Sequence, residues 1–248
     1  MFLKFIISFC VFFSYISIFS QTPISLLEKA EKLNGNIPSY SKIELVSIRP
    51  RYTKKITLRS WRLDNNYSIV EIISPFRDSG MVYMKAGKKL LTYSPKTKRT
   101  INLPSSMLAQ GWMGTDAQFD NILGPASLSK DFTHQLELPA TINGEPCHLI
   151  RCFPLPKTAV AHDHIDAFLN KKKGSVSRLV VYNRKGTIIQ QIDFLEYKEA
   201  DGVLIPSSIM FSTKKGTQKT SLKILDWEKL QDLNPKYFTE TRMKKLES

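Results

Sequence analysis

Residues 178–227 read RLVVYNRKGTIIQQIDFLEYKEADGVLIPSSIMFSTKKGTQKTSLKILDW. Four runs rich in apolar residues, Arg178 to Tyr182, Ile188 to Tyr197, Val203 to Phe211 and Thr220 to Trp227, are parted by the pairs Lys185-Gly186, Asp201-Gly202 and Lys215-Gly216. Short glycine turns join antiparallel neighbours, whereas parallel strands need crossovers of a dozen residues or more. The stretch therefore reads as a meander. The same texture runs through Ile43 to Ile48, Ile56 to Leu63, Tyr67 to Ile73, Met81 to Met84, Leu90 to Tyr93 and Thr100 to Leu103. Asn143-Gly144, between His134 to Ile142 and Cys147 to Phe153, predicts a further hairpin. The count reaches about eleven or twelve strands, and open sheets of that size tend to curl. The expected fold is mainly β: a single curved antiparallel sheet, or incomplete β-barrel, with covering helices and loops.

Helical signals flank this sheet. Thr22-Pro23 followed by Ile24, Leu27, Ala30, Glu31 and Leu33 gives a cap, a first-turn proline and an apolar stripe, ending at Asn34-Gly35. Asn234-Pro235 opens a closing helix that carries Tyr237, Phe238, Thr241 and Leu246. Pro154 to Gly174 contains Ala159, Val160, Ile165, Phe168 and Leu169, and is expected to hold a short helix before Lys171-Lys172-Lys173-Gly174. Pro104 to Phe132 shows no periodicity and is too long for an ordinary connection. Met107, Leu108, Trp112, Met113, Phe119, Ile122, Leu123 and Leu128 make it too apolar for a disordered tail, so the fold or a ligand must cover it.

The chain of 248 residues is 42% apolar and carries 36 Lys and Arg against 22 Asp and Glu, a formal charge of +14. Collagen-like, low-complexity and wholly disordered classes are excluded by such a composition. Lys4, the apolar run Phe5 to Phe19 and the small residue Ser20 have the layout of a secretory signal peptide. Residues 1–20 are read as a cleaved leader and 21–248 as a single exported domain, which places the protein in the periplasm and removes nucleic acid from the partners. Cys147 and Cys152, five apart on one expected strand, face opposite ways and are expected to stay free and mostly buried.

Chemistry-bearing motifs are absent from the sequence: no G-x-S-x-G elbow, no phosphate-binding glycine loop, no H-E-x-x-H, no C-x-x-C. His162-Asp163-His164 with Asp166 reads as a solvated polar stretch in a helix or loop rather than a metal site. No catalytic residue, metal or cofactor is nominated, and the protein is expected not to be an enzyme. Lysine-rich turns at strand ends keep a large sheet soluble, or form a surface drawn to an anionic membrane. Both readings stay open.

Pro104 to Leu123 reads PSSMLAQGWMGTDAQFDNIL, preceded by Tyr93-Ser94-Pro95 and Lys98-Arg99. Here the chain resembles the outer-membrane lipoprotein-sorting proteins, relatives of the periplasmic lipoprotein carrier LolA. Tyr93, Pro95, Arg99, Ser106, Met107, Trp112, Met113, Gly114, Thr115 and Asp116 match that family's motif in order. The closing Asn234, Pro235, Phe238, Thr239 and Leu246 fit as well, so the likeness spans residues 22–248. One departure is that the pair of acids usual after Gly-Thr-Asp is here Asp120 followed by Asn121. The resemblance implies a half-open antiparallel barrel whose apolar concavity shields acyl chains of lipid or lipoprotein. A monomer is expected, with an inner-membrane transporter as a further partner, and the lysine-rich turns leave an anionic membrane surface open as another. Val82, Met84, Leu91, Tyr93, Ile192 and Phe194 are expected in the cavity wall, and a register slip of one would exchange them for their neighbours. Met107, Leu108, Trp112 and Met113 are expected at the cavity from the long segment. Lining the cavity and plugging the sheet's own core are both open readings for Met107, Trp112 and Met113. The alternative function is a periplasmic sensor or accessory subunit that binds a transporter or signalling protein through the same fold.

Overall fold

The computed structural model describes residues 22–33, 37–156, 158, 160–213 and 218–246. The expected leader, the Asn34-Gly35 stop, Ala159 and the Lys214-Lys215-Gly216 turn lie outside the described residues.

After helix α1 (Pro23–Leu33) come strands β1 (Ser39–Ile48), β2 (Thr53–Arg62), β3 (Tyr67–Ser74), β4 (Val82–Ala86), β5 (Lys89–Ser94) and β6 (Arg99–Asn102). The long segment holds two 3-10 turns, Ser105–Ala109 and Trp112–Gly114, and helix α2 (Phe119–Leu123). Then follow β7 (Phe132–Leu136), β8 (Ala140–Ile142), β9 (Glu145–Pro154), β10 (His164–Asn170), β11 (Val176–Tyr182), β12 (Ile188–Ala200), β13 (Val203–Ser212) and β14 (Lys219–Lys229). A 3-10 turn, Pro235–Tyr237, and helix α3 (Glu240–Lys245) close the described chain. All fourteen strands join one sheet in the order β6-β5-β4-β3-β2-β1-β14-β13-β12-β11-β10-β9-β7, with β8 on β9 beside this path. Each described pairing is antiparallel. The sheet is open, with β6 and β7 as its two edges.

The expected curved antiparallel sheet is what forms, with two strands more than the twelve runs read from the sequence. Two of the differences have physical causes. His134 to Ile142, expected as one strand, splits into β7 and β8 around Pro139, which has no N–H for the ladder. Pro154 to Gly174, expected to hold a helix, instead supplies β10. There the period is two: Ile165, Ala167 and Leu169 pack into a core with α1, Leu128, Phe132 and Val176, while Asp166 faces the other way and accepts from Arg151 at 2.8 and 3.0 Å.

Curvature can be read from the packing. Leu90 of β5 and Ile192 of β12 belong to one buried cluster around Trp112, Phe119 and Leu123. Seven strand spacings separate them, about 34 Å in a flat sheet, so the sheet must wrap around the long segment. Register breaks help it bend, at Lys42/Ile43 against β14 and around Phe194 to Tyr197 against β13. The opposite face of β3–β5 is covered too: Ile69, Val82, Met84, Leu91 and Tyr93 pack under Phe238, Met243 and Leu246.

Candidate functional site: a covered cavity on the inner face

A cavity of about 240 Å³ lies between the inner face and its covering segments. Its floor is apolar: Ile43 from β1, Ile192 and Phe194 from β12, Ile205, Ile209 and Phe211 from β13, and Leu222, Ile224 and Trp227 from β14. Leu27 and Ala30 of α1, Ile122 of α2, and Ala126 and Leu128 complete the cover. The space exists because small side chains occupy inward positions. Ser39 and Ser41 of β1 and Ser60 of β2 are buried where larger residues would fill the void, and Ser41 pairs directly with Ser60.

Two ends of the cavity carry titratable groups, and the low-polarity surroundings disfavour charge on them. At one, burial pushes the Asp120 carboxyl up to about 6, only partly opposed by the Asn121 backbone N–H and the charge of Lys85. Its Oδ1 is buried without a hydrogen-bond partner. Arg62 is held down to about 10, chiefly by burial, and remains a cation at neutral pH. At the other, His162 stacks on Phe132 at 5.9 Å, and burial with neighbouring His164 pushes it down to about 4. His162 is thus neutral at pH 7. His164 stacks on Tyr182 at 4.5 Å instead, so the two imidazoles do not converge. Among the described residues, no group of three or more His, Cys, Asp and Glu stands close enough to hold a metal. Cys147 and Cys152 are both buried and free.

The cover is pinned by polar contacts at its ends. The last carbonyls of α2 and its exit are capped from three strands: Arg62 Nη2 donates to Ile122 O at 2.7 Å, Ser68 Oγ to Leu123 O at 2.6 Å and Lys85 Nζ to Gly124 O at 2.7 Å. Such capping satisfies carbonyls that a helix end leaves open and places cations where the helix dipole favours them. Asn121 Oδ1 accepts from Gln118 N and from Gln190 Nε2, each at 2.9 Å, so the asparagine that replaces the second acid anchors α2 to β12. Further along, Glu31 of α1 accepts from the hydroxyls of Ser127 and Ser129.

Sequence-expected site residues fall into three places. Ile192 and Phe194 stand in the cavity floor. Val82, Met84, Leu91 and Tyr93 lie on the other face, under α3, while their neighbours Tyr83 and Leu90 point inward. Both faces of these strands are buried, so apolar alternation had no solvent side to orient it. Trp112 is 0% exposed, edge-on to Tyr83 at 5.8 Å, with Met107, Leu108 and Met113 packed around the same cluster. These four belong to the core beside the cavity rather than to its wall.

What the Trp-Met-Gly-Thr-Asp motif does locally is now explicit. Thr115 Oγ1 donates to Trp112 O, Lys54 Nζ to Met113 O and Arg49 Nη2 to Gly114 O. Asp116, buried, takes Arg49 Nη1 at 2.7 Å and Thr220 Oγ1 at 2.8 Å, and its carbonyl accepts from Gln190. One turn thus ties the β1–β2 turn, β2, β12 and β14 together. Sequence reasoning missed Ser39, Ser41, Ser60 and Arg62; the available signal was a serine at alternate positions ahead of Ile43 and Leu45.

Comparison with solved structures places this architecture. A DUF1329 family protein from Desulfovibrio piger superposes with a TM-score of 0.78 at 14% identity, covering 89% of this chain and 97% of that one. A putative outer membrane lipoprotein-sorting protein domain from Vibrio parahaemolyticus gives 0.77 at 15%, with the same coverage. A LolA superfamily protein from Nitrosomonas europaea gives 0.76 at 20%, covering 88% and 97%. No curated protein matches the sequence. A likeness of this degree establishes a shared fold, that of the LolA-like lipoprotein-sorting proteins. The family model described as "-like: Uncharacterized protein" matches residues 64–245, most of the sequence, and the chain belongs to that family.

Proposed function

We propose that the protein is a periplasmic, non-enzymatic carrier that shields acyl chains of lipid or lipoprotein against the inner face of its sheet. The observation that carries this reading is the covered apolar cavity floored by β12–β14. Burying alkyl chain stabilises a complex by ~0.8 kcal/mol per CH₂ and needs area rather than directed chemistry. Of the titratable groups at the cavity edge, His162, its proton affinity lowered by burial, is neutral at pH 7, which suits a wall for uncharged chain. At about 240 Å³ the space exceeds a ~150 Å³ cavity that accepts benzene, yet lies below the ~300–1,000 Å³ of sites for whole drug-sized ligands. A full chain therefore enters by lifting the cover, whose ends are held by a small set of hydrogen bonds. Residues 1–20 act in this reading as the export signal, and the protein meets its cargo outside the cytoplasm.

The test is extraction and mass spectrometry of lipid from protein purified out of its own periplasm, paired with melting in the presence of added fatty acid. Copurified acyl species and a raised Tm are expected, both lost in Phe194→Asp and retained in Met84→Leu on the opposite face. Empty protein, with no rise in Tm on addition of lipid, sinks the proposal.

A further inference from the structure

Strands β1–β6 alternate in direction, so the β1–β2, β3–β4 and β5–β6 turns leave the sheet at one end, successive turns about 10 Å apart. Contacts hold the last two against each other. Lys96 Nζ donates to Arg77 O at 2.6 Å, and a Cβ on Gly80 would lie 2.9 Å from the ring of Pro95. These three turns, residues 49–52, 75–81 and 95–98, contain five Lys or Arg and one acid, Asp78. Lys54, Lys55 and Arg99 add to them from the adjoining strand ends. The two turns at the other end of the same strands, 63–66 and 87–88, carry one acid and one base, Asp64 and Lys88, with Arg62, Lys85 and Lys89 at the adjoining strand ends, the first two of them engaged with the carbonyls that end α2. Charge is thus concentrated on one end.

Some of those cations serve the fold: Arg49 binds Asp116, Lys54 holds Met113 O and Lys55 pairs with Glu44 at 2.6 Å, while Arg77 lies 3.4 Å from Asp78 with most of its side chain in water. Arg51, Arg77, Lys96, Lys98 and Arg99 are exposed. Beside them stand two aromatic rings that the fold leaves in water. Phe76, in the 3-10 turn Phe76–Asp78, is 91% exposed, and Tyr52 is 58% exposed. An exposed Phe forgoes the stabilisation that burial would bring. Cations with a protruding ring suit an interface whose outer layer is anionic and whose next layer is apolar. Two rings on separate turns offer no continuous platform on which successive bases could stack, which disfavours nucleic acid.

We propose that this end of the sheet docks peripherally on an anionic phospholipid surface, with Arg51, Arg77, Lys96, Lys98 and Arg99 at the headgroup phosphates and Phe76 at the headgroup–acyl boundary. This docking stands on the rim alone and does not depend on what the cavity holds.

The test is cosedimentation of the full chain with vesicles of phosphatidylcholine alone, or with one-third phosphatidylglycerol. Binding is expected only to the anionic vesicles and weakens with added salt. Lys96→Gln with Lys98→Gln lowers affinity about fivefold per charge removed, the equivalent of ~1 kcal/mol each. Phe76→Ser weakens it further, and Phe76→Trp shifts its emission to the blue only with anionic vesicles. Lys171→Gln with Lys172→Gln, in the turn at the opposite end, leaves binding unchanged. Ile224→Trp, which fills the cavity, also binds vesicles normally, so failure of the carrier reading and failure of this one show in different arms. Equal binding to both vesicle types, equal loss in the Lys171/Lys172 control, or tighter binding of a DNA duplex or an acidic peptide through the same side chains would overturn the proposal.

Discussion

Asp116 has a buried carboxylate that takes Arg49 from the β1–β2 turn and Thr220 from β14, while its main-chain carbonyl takes Gln190 from β12, which makes it the most consequential single residue of the Trp-Met-Gly-Thr-Asp turn. Removing one member of such a buried pair leaves the other charge uncompensated, typically at a cost of 3–5 kcal/mol. Asp116→Ala is therefore expected to lose about 3–5 kcal/mol in urea unfolding, and a loss below ~1 kcal/mol would contradict the assignment. Asp120 behaves in the opposite sense. Its native carboxyl keeps a proton up to about pH 6 and its unfolded one to about 3.8, so between those values the folded state binds more protons. Stability contributed by this group then falls as pH rises from about 4 to 6, and the loss persists above. Asp120→Asn should be more stable than the parent at pH 7 by about 3 kcal/mol, with the difference vanishing below pH ~4. The same comparison cancels the opposing titration of His162, whose lowered pKa costs stability as pH falls from 6.5 toward 4. At this scale the motif residues were legible, because Trp112 and Asp116 stand out by type and order. The serines that make the void were not, since a small polar residue on a strand carries no sign of which face it takes.

Elements were legible where one face meets water. The β11–β14 meander matches the sequence reading closely because its turns are marked by glycine and its strands alternate. Strands β4 and β5 had the right extent, and the faces of their side chains remained open to a one-residue choice, since Tyr83 and Val82 are both buried. That choice can be checked. Met243 of α3 is fully buried against Met84 and Tyr93 on the outer face. Met243→Ala should cost about 2–5 kcal/mol of stability, while the acyl affinity of the folded fraction stays unchanged. A parallel loss of affinity would mean that the outer face serves the cavity. Gly124, which ends α2, makes a second check: its φ is 117°, and a Cβ there would lie 2.6 Å from Asn65 O. Gly124→Ala therefore strains the cover, and faster hydrogen exchange at Ile122 and Leu123 is the expected result.

On the scale of the whole molecule, the curl of the sheet is the feature that makes the cavity. Long-range closure was hidden in the sequence because it arises from contacts between strands seven places apart, brought together by a segment that has no periodicity. The cavity's aromatic reporter is Trp227 on β14, whereas Trp112 is sealed in the core and Trp61 packs at a tilt against Tyr40 at 5.4 Å. Titration with a fatty acid brominated along its chain uses that difference, since bromine quenches an indole in contact. The account predicts saturable quenching that falls by more than half in Trp227→Phe. Quenching of equal depth in Trp227→Phe and the parent, or none in the parent, would contradict an acyl chain lying across the inner face.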